Sequence, residues 1–190
     1  VGVLNIDGTG SKAVSSGDID IGREAGGSAS TTVSNNGLLK STGGNVTVGD
    51  RTNGTLTLNT GGDLEVTSGN LVISNNTAGV EGVITADGSG TTITVGDKVY
   101  IGNAQGTGTM TLSGGAKVAA TSDMTKVGRG ATGSLNISGN GSEYDATGQQ
   151  IRVGDVSMGD ANISDHALVK ALKFTAGYEN GGGRGAQALK

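Results

Sequence analysis

Charged and amide side chains recur at one position of a short repeated motif. In each copy an alternating segment ends in glycine or serine, and the next residue belongs to the column Arg23, Asp50, Asn75, Asn103, Arg129 and Asp155. If successive copies stack, Arg23 lies beside Asp50, Arg129 lies beside Asp155, and the two asparagines lie beside each other. Such a column could bind a charged surface. Because its opposite charges alternate, we predict instead a structural ladder of ion pairs and stacked amides, in which each exposed pair contributes only about 0.2–1 kcal/mol.

A polysaccharide-cleaving enzyme is the catalytic alternative, because one face of a stacked repeat can carry carboxylates, a metal ion and a basic residue. Its candidate residues are Asp50, Arg51, Asp97, Arg152 and Asp155. Asp50 and Asp155 lie three or more repeats apart, which is too far for two carboxylates to act on one sugar. The chain has no tryptophan, and its only tyrosines for sugar stacking are Tyr100, Tyr144 and Tyr178. We therefore predict no catalytic residue and no enzymatic activity.

Two other features match functional motifs only in part. His166 is the single histidine and cannot by itself build a Ser-His-Asp or multi-histidine metal site, so Ser164-Asp165-His166 predicts a solvated turn. The run Gly181-Gly-Gly-Arg-Gly185 lacks the Lys-Ser/Thr ending of a phosphate loop and the spaced aspartates of a calcium repeat. It predicts a loop that enters a further turn at Ala186-Gln-Ala-Leu189. The sequence thus predicts neither a metal nor a cofactor.

The composition argues against several classes of protein. The net charge is −4, from 13 basic and 17 acidic residues, and the cations are scattered, so nucleic acid is not a predicted partner. There is no cysteine for a disulfide or a thiolate metal site. No apolar run approaches the roughly 20 residues that span a bilayer, so membrane insertion of this segment is not predicted. Residues 1–20 do not resemble an export signal, and we expect any signal or anchor to lie outside this sequence.

The chain is built from a repeat of about 26 residues. A glycine followed by an alternating segment occurs at Gly2, Gly54, Gly108 and Gly133, with weaker copies predicted at Gly27, Gly82 and Asp160. A second anchor keeps the same period, as in Val46-Thr-Val48-Gly49 and Ile151-Arg-Val153-Gly154. A third alternating run lies between them, as in Leu64-Glu-Val66. Each repeat therefore predicts three short strands and three turns.

Strands that recur in one sense without a helical crossover predict a coil whose turns stack on one another. Stacking at about 4.8 Å satisfies the backbone hydrogen bonds of a chain with 38 glycines and no proline. The fold class predicted is an all-β, right-handed parallel β-helix, or β-solenoid, with about seven turns of three short strands. Residues 1–190 form a single segment of it, expected to be part of a longer array. The predicted core is narrow and aliphatic. Leu56 and Leu58 of the first alternating segment, and Val46 and Val48 of the second anchor, are typical of the side chains predicted to point inward.

The repeat resembles the passenger-domain repeats of bacterial autotransporter adhesins, including self-associating and biofilm-forming members. The stretches that carry the resemblance best are Gly106-Thr-Gly-Thr-Met-Thr-Leu-Ser-Gly-Gly-Ala-Lys-Val118 and Gly133-Ser-Leu-Asn-Ile-Ser-Gly-Asn-Gly-Ser142. The resemblance implies export and display at the bacterial cell surface through a C-terminal translocator barrel, which this sequence does not contain. The motif is specific for the architecture and unspecific for a ligand.

The function expected from the sequence is that of a non-enzymatic extracellular rod, adhesive or structural, that mediates adhesion, self-association or biofilm formation. Its partners are expected to be other copies of itself or host and matrix molecules. A passive stalk or a filament-forming subunit is the first alternative, since both chain ends fall within a repeat, and a lyase-like enzyme is the second. Ice binding through outward Thr-x-Thr pairs such as Thr55/Thr57 and Thr109/Thr111 is a weaker option, because the pairs do not recur in every repeat.

Overall fold

The chain folds as an all-β parallel solenoid. The computed structural model describes residues 1–177 and 186–189, and the described residues form strands and turns with no helix. In chain order the strands are β1 Gly2–Asp7, β2 Lys12–Ser15, β3 Ile19–Ile21, β4 Ser28–Ser34, β5 Leu38–Ser41, β6 Val46–Val48, β7 Asn53–Asn59, β8 Asp63–Val66, β9 Leu71–Ile73, β10 Glu81–Asp87, β11 Thr92–Val95, β12 Val99–Ile101, β13 Thr107–Ser113, β14 Lys117–Ala120, β15 Met124–Val127, β16 Gly133–Ser138, β17 Glu143–Val153, β18 Gly159–Ser164, β19 Leu168–Ala176 and β20 Ala186–Leu189.

Three faces run along the solenoid. The first face is an eight-stranded sheet in the order β1-β4-β7-β10-β13-β16-β18-β20. The second face stacks β2, β5, β8, β11 and β14, and the third stacks β3, β6, β9, β12 and β15. We number the coils along the chain, so that β1, β2 and β3 form coil 1 and β13, β14 and β15 form coil 5. Coil 6 consists of β16 and β17 and coil 7 of β18 and β19, because in these coils the second and third faces share the single long strands β17 and β19. All pairings are parallel, which confirms a solenoid of about seven coils, and β20 confirms that an eighth begins at Ala186.

The observed register corrects two predicted repeat starts. Ala29, and not Gly27, pairs with Gly2, and Gly159, and not Asp160, pairs with Gly133. In coil 2 the inward Thr31 and Val33 align with Leu4 and Ile6 of coil 1. The side-chain alternation accounts for the second correction, because Ala161 and Ile163, two and four positions after Gly159, align with the buried Leu135 and Ile137.

The core is a narrow aliphatic column that runs through all coils. Leu56 and Leu58 from the first face, Leu64 and Val66 from the second, and Leu71 from the third are fully buried in coil 3, as the alternation predicts. Hydroxyl side chains also enter this interior, among them Thr125 and Tyr144, which are both buried and whose hydroxyl oxygens lie 2.7 Å apart. Burial raises the pKa of the Tyr144 phenol above its usual range, and the hydrogen bond with Thr125 opposes that rise only in part.

Glycine is required where the third-face strands of coils 2–6 lead into the first-face strands of coils 3–7. A Cβ built on Gly133 would lie 2.2 Å from the Ile101 carbonyl oxygen and 2.4 Å from the Gly128 nitrogen. Those two atoms form a 2.8 Å hydrogen bond between coils. The same relation recurs at Gly54, Gly82, Gly108 and Gly159. From coil 3 to coil 7, the backbone of the first-face start therefore packs directly on a hydrogen bond of the third-face ladder.

The corner residue that ends each third-face strand has a left-handed backbone. In coils 1, 2 and 4–7 this residue is glycine, with φ between 67° and 92°. Coil 3 has Ser74 with φ 60°, a fully buried residue whose hydroxyl has no hydrogen-bond partner within the described chain. Only a residue without a Cβ adopts this conformation without strain, so Ser74 is a local departure from the rule of the repeat.

Gly133→Ala is expected to lower the free energy of unfolding by about 1–3 kcal/mol, because the added methyl displaces the hydrogen bond between Gly128 and Ile101. Thermal unfolding followed by circular dichroism measures the loss. Gly2→Ala is the matched control, because it changes the same position of coil 1, where no atom lies within 4 Å of the built Cβ. Equal stability of the two variants would contradict the packing argument.

Alkaline pH is expected to destabilise the fold partly through Tyr144. The pKa of its phenol is raised in the folded state, so the contribution is fully present below about pH 10, the ordinary pKa of tyrosine, and is lost as the pH rises further. The free energy of unfolding, measured between about pH 9 and 11.5, should therefore fall less steeply in a Tyr144→Phe/Thr125→Val double variant than in the parent chain. The double variant removes both hydroxyl groups, so that neither is left buried without its hydrogen-bond partner. Lys98, whose pKa is also raised, is common to both proteins and cancels in the comparison. An unchanged slope would contradict the assignment.

Candidate binding surface

One ladder of hydrogen-bonded side chains follows the corner between the third and first faces. Asn75 donates from Nδ2 to Oδ1 of Asp50 over 3.0 Å, and Asn103 donates from Nδ2 to Oδ1 of Asn75 over 2.7 Å. Arg129 then donates from Nη1 to Oδ1 of Asn103 over 2.5 Å. Asp50 is almost fully buried and also accepts a 2.6 Å hydrogen bond from Asn76. The side chains thus connect four successive coils, and the predicted contact of Asn75 with Asn103 is confirmed.

The direction of this ladder follows from the groups that compose it. A carboxylate only accepts hydrogen bonds, a guanidinium only donates them, and an amide does both. The acceptor Asp50 therefore stands at one end and the donor Arg129 at the other, with the two amides aligned between them. Hydrogen bonds in such a chain polarise one another, which strengthens each of them.

The two predicted ion pairs of this column are wrong. Arg23 binds Asp20 at 2.8 Å and not Asp50, since Asp20 lies outward on the third-face strand of the same coil. Arg129 binds Asn103, and its guanidinium carbon lies 4.4 Å from the centre of the Tyr100 ring. The long side chains of the corner column reach the neighbouring outward rank of the third face, which is the row of outward side chains at the middle of each third-face strand. A prediction from the corner column alone does not include these contacts.

Asp155 has its ion-pair partners among the outward side chains of the third face. Its Oδ2 atom lies 2.8 Å from Lys126 Nζ, and its Oδ1 atom lies 3.3 Å from Arg152 Nη1. The carboxylate is 2% exposed, whereas the side chains of both cations are less than one fifth exposed. Two partly exposed cations therefore compensate one buried anion, and the group stabilises the corner of coil 6.

A second ladder follows the corner between the second and third faces, and the sequence analysis missed it. Asn45 N–H donates to Oδ1 of Asp18 over 2.8 Å, and Asn70 donates to Oδ1 of Asn45 from both its backbone N–H and its Nδ2. The backbone N–H of Lys98 donates to Oδ1 of Asn70 over 3.2 Å. A signal was present, because each of these residues immediately precedes the third-face strand of its coil.

The Lys98 ammonium closes this second ladder with two ion pairs. Asp123 lies 2.8 Å away and Asp97 lies 3.1 Å away, and hydrogen bonding to these carboxylates, first to Asp123, raises the pKa of the lysine. Lys98 and Asp97 are neighbours in sequence, while Asp123 belongs to the next coil. The contact therefore joins coils 4 and 5 at the surface.

The five candidate residues of a polysaccharide lyase do not meet at one place. Asp50 pairs with Arg51 at 4.0 Å in coil 2, and Arg152 pairs with Asp155 in coil 6. Four coil spacings separate the two aspartates, about 19 Å at the usual strand spacing. Asp97 lies at the opposite corner of the third face, against Lys98. The two described tyrosines do not form a platform, because Tyr144 is in the core and Tyr100 lies under Arg129. Tyr178 falls outside the described residues.

The second face carries charges of both signs in outward ranks. Its charged members are Lys12, Lys40, Asp63, Glu65, Lys117, Glu143, Asp145 and Lys170. Lys40 binds Glu65 of the next coil at 2.6 Å, and Lys117 lies 3.8 Å from Glu143. Lys170 binds both Glu143 and Asp145, which raises the pKa of Lys170. The pKa of Asp145 is lowered mainly by hydrogen bonds from Thr147 and to a smaller extent by the positive charge of Lys170.

A shallow depression interrupts this face over coils 4–6. Its volume is about 280 Å³, and it is lined by Thr92, Thr94, Lys117, Ala119, Glu143 and Asp145 among others. Ala119 causes it, because a methyl group stands between the longer side chains of Thr94 and Asp145 in the same rank. The depression offers hydroxyl, ammonium and carboxylate groups within one patch.

The first face is largely uncharged. One outward rank runs through Thr32, Thr57, Thr85 and Thr111 without interruption, and Asn136 continues it. The rank beside it is interrupted by Val83. The Thr-x-Thr pattern considered for ice binding is thus complete in coils 3 and 5 only, and ice binding stays an untested option.

The remaining sequence features can also be placed. His166 is exposed in a turn with φ 64°, as predicted for a solvated turn residue. The run Gly181–Gly185 lies outside the described residues. Among the residues that the structure describes, no group of three or more metal-ligating side chains is close enough to hold an ion. Within the same residues, no helix has the length and hydropathy to cross a membrane.

Comparisons with models of known families, with curated sequences and with solved structures find no match to this chain. The class of protein is therefore defined by its fold, as a parallel β-solenoid with polar outer faces.

Asn75→Asp is expected to destabilise the fold by about 1–3 kcal/mol, because it replaces the donor that faces Asp50 with a second carboxylate. Urea unfolding at low and moderate salt measures the effect. The double variant Asp50→Asn/Asn75→Asp is the matched control, since the amide at position 50 can donate to the new carboxylate, and most of the lost stability should return. A double variant no more stable than Asn75→Asp alone would contradict a directional ladder.

Proposed function

We propose that this chain is a structural and adhesive rod that acts outside a bacterial cell. Its outer faces would mediate adhesion or self-association at the cell surface, with other copies of the chain or host and matrix molecules as partners. The display at a bacterial surface follows from the resemblance of the repeat to autotransporter adhesins. The proposal assigns no reaction to the chain.

The observation that carries the proposal is the arrangement of polar side chains in regular ranks on a rigid scaffold. On the second face, lysines and carboxylates lie on successive coils at the spacing of parallel strands. Single exposed pairs of this kind are weak, at about 0.2–1 kcal/mol. A partner that contacts several coils at once sums such contacts, and the effective concentration of each further contact is high once the first has formed.

The rigidity of the scaffold supports the same proposal. Backbone hydrogen bonds join every coil to the next, and the two corner ladders add side-chain links across coils 1–5. A surface that is ordered before binding loses little conformational entropy when a partner docks. Extended polar ranks can then bind through many small contributions rather than through one deep pocket.

Display of the chain on a non-aggregating bacterium tests the proposal. Cells that display it are expected to settle faster or to bind to surfaces, and a Lys40→Glu/Lys117→Glu variant is expected to weaken this because it makes the second face uniformly acidic from coil 2 to coil 6. The matched control is Arg23→Glu/Arg51→Glu, which makes the same change in net charge at the corner between the third and first faces. Circular dichroism confirms that both variants fold.

Unchanged settling and no surface binding by the parent chain would contradict an adhesive role and leave a passive stalk. Equal loss in both variants would show that net charge, and not the second face, controls binding. Incubation with acidic polysaccharides and calcium checks the lyase alternative, and the release of new reducing or unsaturated ends would overturn the assignment of a non-enzymatic rod.

A further inference from the structure

Asparagine followed by glycine is chemically unstable when the backbone between them can bend. The glycine nitrogen loses its proton and attacks Cγ of the asparagine, and the product is a cyclic imide. The described chain contains three such pairs, Asn36–Gly37, Asn53–Gly54 and Asn140–Gly141. A fourth pair, Asn180–Gly181, lies outside the described residues. The structure places the three described pairs in different surroundings.

The pair Asn53–Gly54 is held in the β7 strand. The side-chain Oδ1 of Asn53 accepts a 2.9 Å hydrogen bond from the backbone N–H of Glu81 in the next coil. Gly54 is buried, and a Cβ built on it would lie 2.2 Å from the Ile21 carbonyl oxygen. Neither residue can rotate into the imide geometry without separating coils.

The pair Asn36–Gly37 is held by its turn. The Gly37 nitrogen, which would be the attacking atom, donates a 2.9 Å hydrogen bond to the Ser34 carbonyl. The Asn36 amide donates to the Thr9 hydroxyl over 3.3 Å, and a Cβ built on Gly37 would lie 2.7 Å from the Ile6 carbonyl. The attacking nitrogen and the amide are therefore both engaged with the rest of the fold.

The pair Asn140–Gly141 lacks these restraints. Both residues are exposed, in the turn that joins β16 to β17. Within the described chain, neither the Gly141 nitrogen nor the Asn140 side chain makes a hydrogen bond. The hydrogen bond that closes the turn joins the two flanking residues, from Ser142 N–H to the Gly139 carbonyl over 3.1 Å. Attack of the Gly141 nitrogen on Asn140 therefore breaks no contact of the fold.

We propose that Asn140 is a site of spontaneous covalent modification, selected by the fold over Asn36 and Asn53. The Gly141 nitrogen forms a bond to Cγ of Asn140, the bond from Cγ to Nδ2 breaks, and ammonia leaves. Water then adds to one carbonyl of the imide and breaks its bond to nitrogen. Addition at the side-chain carbonyl gives aspartate, and addition at the backbone carbonyl gives isoaspartate.

The modification changes a corner that contacts the neighbouring coil. Isoaspartate adds a methylene group to the main chain between Gly139 and Ser142, whose hydroxyl accepts a 3.0 Å hydrogen bond from the Gly115 nitrogen. Both products also add a negative charge near the end of the second face that carries Glu143 and Asp145. The corner of coil 6 would thus change its shape and its charge with age.

Timed incubation of the folded chain at mildly alkaline pH, followed by protease digestion and peptide mass mapping, tests the proposal. The peptide with Asn140 is expected to gain the mass that accompanies replacement of an amide by a carboxyl group, and an isoaspartate methyltransferase should label it. The peptides with Asn36 and Asn53 should react at least about tenfold more slowly, because they require local opening of the fold. The peptide with Asn180 is scored separately.

The same incubation in denaturant is the control, since all three pairs should then react at similar rates. An Asn140→Gln variant should remove the labelled peptide without a change in fold, as glutamine would have to form a larger ring. Modification of Asn36 or Asn53 as fast as Asn140 in the folded chain would overturn the proposal. So would an unreactive Asn140 in folded protein when the denatured control reacts.

Discussion

The fold depends on the close approach of two backbone segments at one corner, which recurs at the start of coils 3–7. At that corner the start of a first-face strand packs directly on a hydrogen bond of the third-face ladder, and Gly54, Gly82, Gly108, Gly133 and Gly159 occupy the contact. A side chain there would separate the carbonyl and the amide that hold successive coils together. The glycine content that would favour disorder in another sequence is therefore a condition of order in this one.

This constraint determines where polar chemistry can lie. The narrow cross-section holds an aliphatic column with a few hydroxyl side chains, which are Thr31, Ser41, Thr125 and Tyr144, and most other polar groups lie at corners and on outward ranks. At the corners, buried groups such as Asp50 and Asp155 must find partners in their own or a neighbouring coil. The amide ladder partners Asp50, and the two cations partner Asp155. Both arrangements offset the free energy of burying a carboxylate, which is far larger when the carboxylate is unpaired.

The three outer faces share one backbone and differ in chemistry. The second face alternates lysines with carboxylates, the first face carries mostly hydroxyl groups, and the third has its polar side chains tied into ladders at both edges. A rod of this kind offers extended, repeated contact rather than a single pocket, which is the physical basis of the adhesive role proposed for it. In the shallow depression beside Ala119, a gap in one row of side chains gathers several kinds of polar group.

The sequence by itself determined the repeat, the three separate strands of coils 1–5, and most of the core, because inward side chains alternate with a period of two and glycine recurs at the same corner. It placed Asn75 beside Asn103 for the same reason. Only the tertiary structure decided the start of coil 2 at Ala29, the partners of Arg23, Arg129 and Asp155, and the pairing of Tyr144 with Thr125. These contacts depend on how far long side chains reach across neighbouring ranks and on the length of each corner, and a one-dimensional period specifies neither.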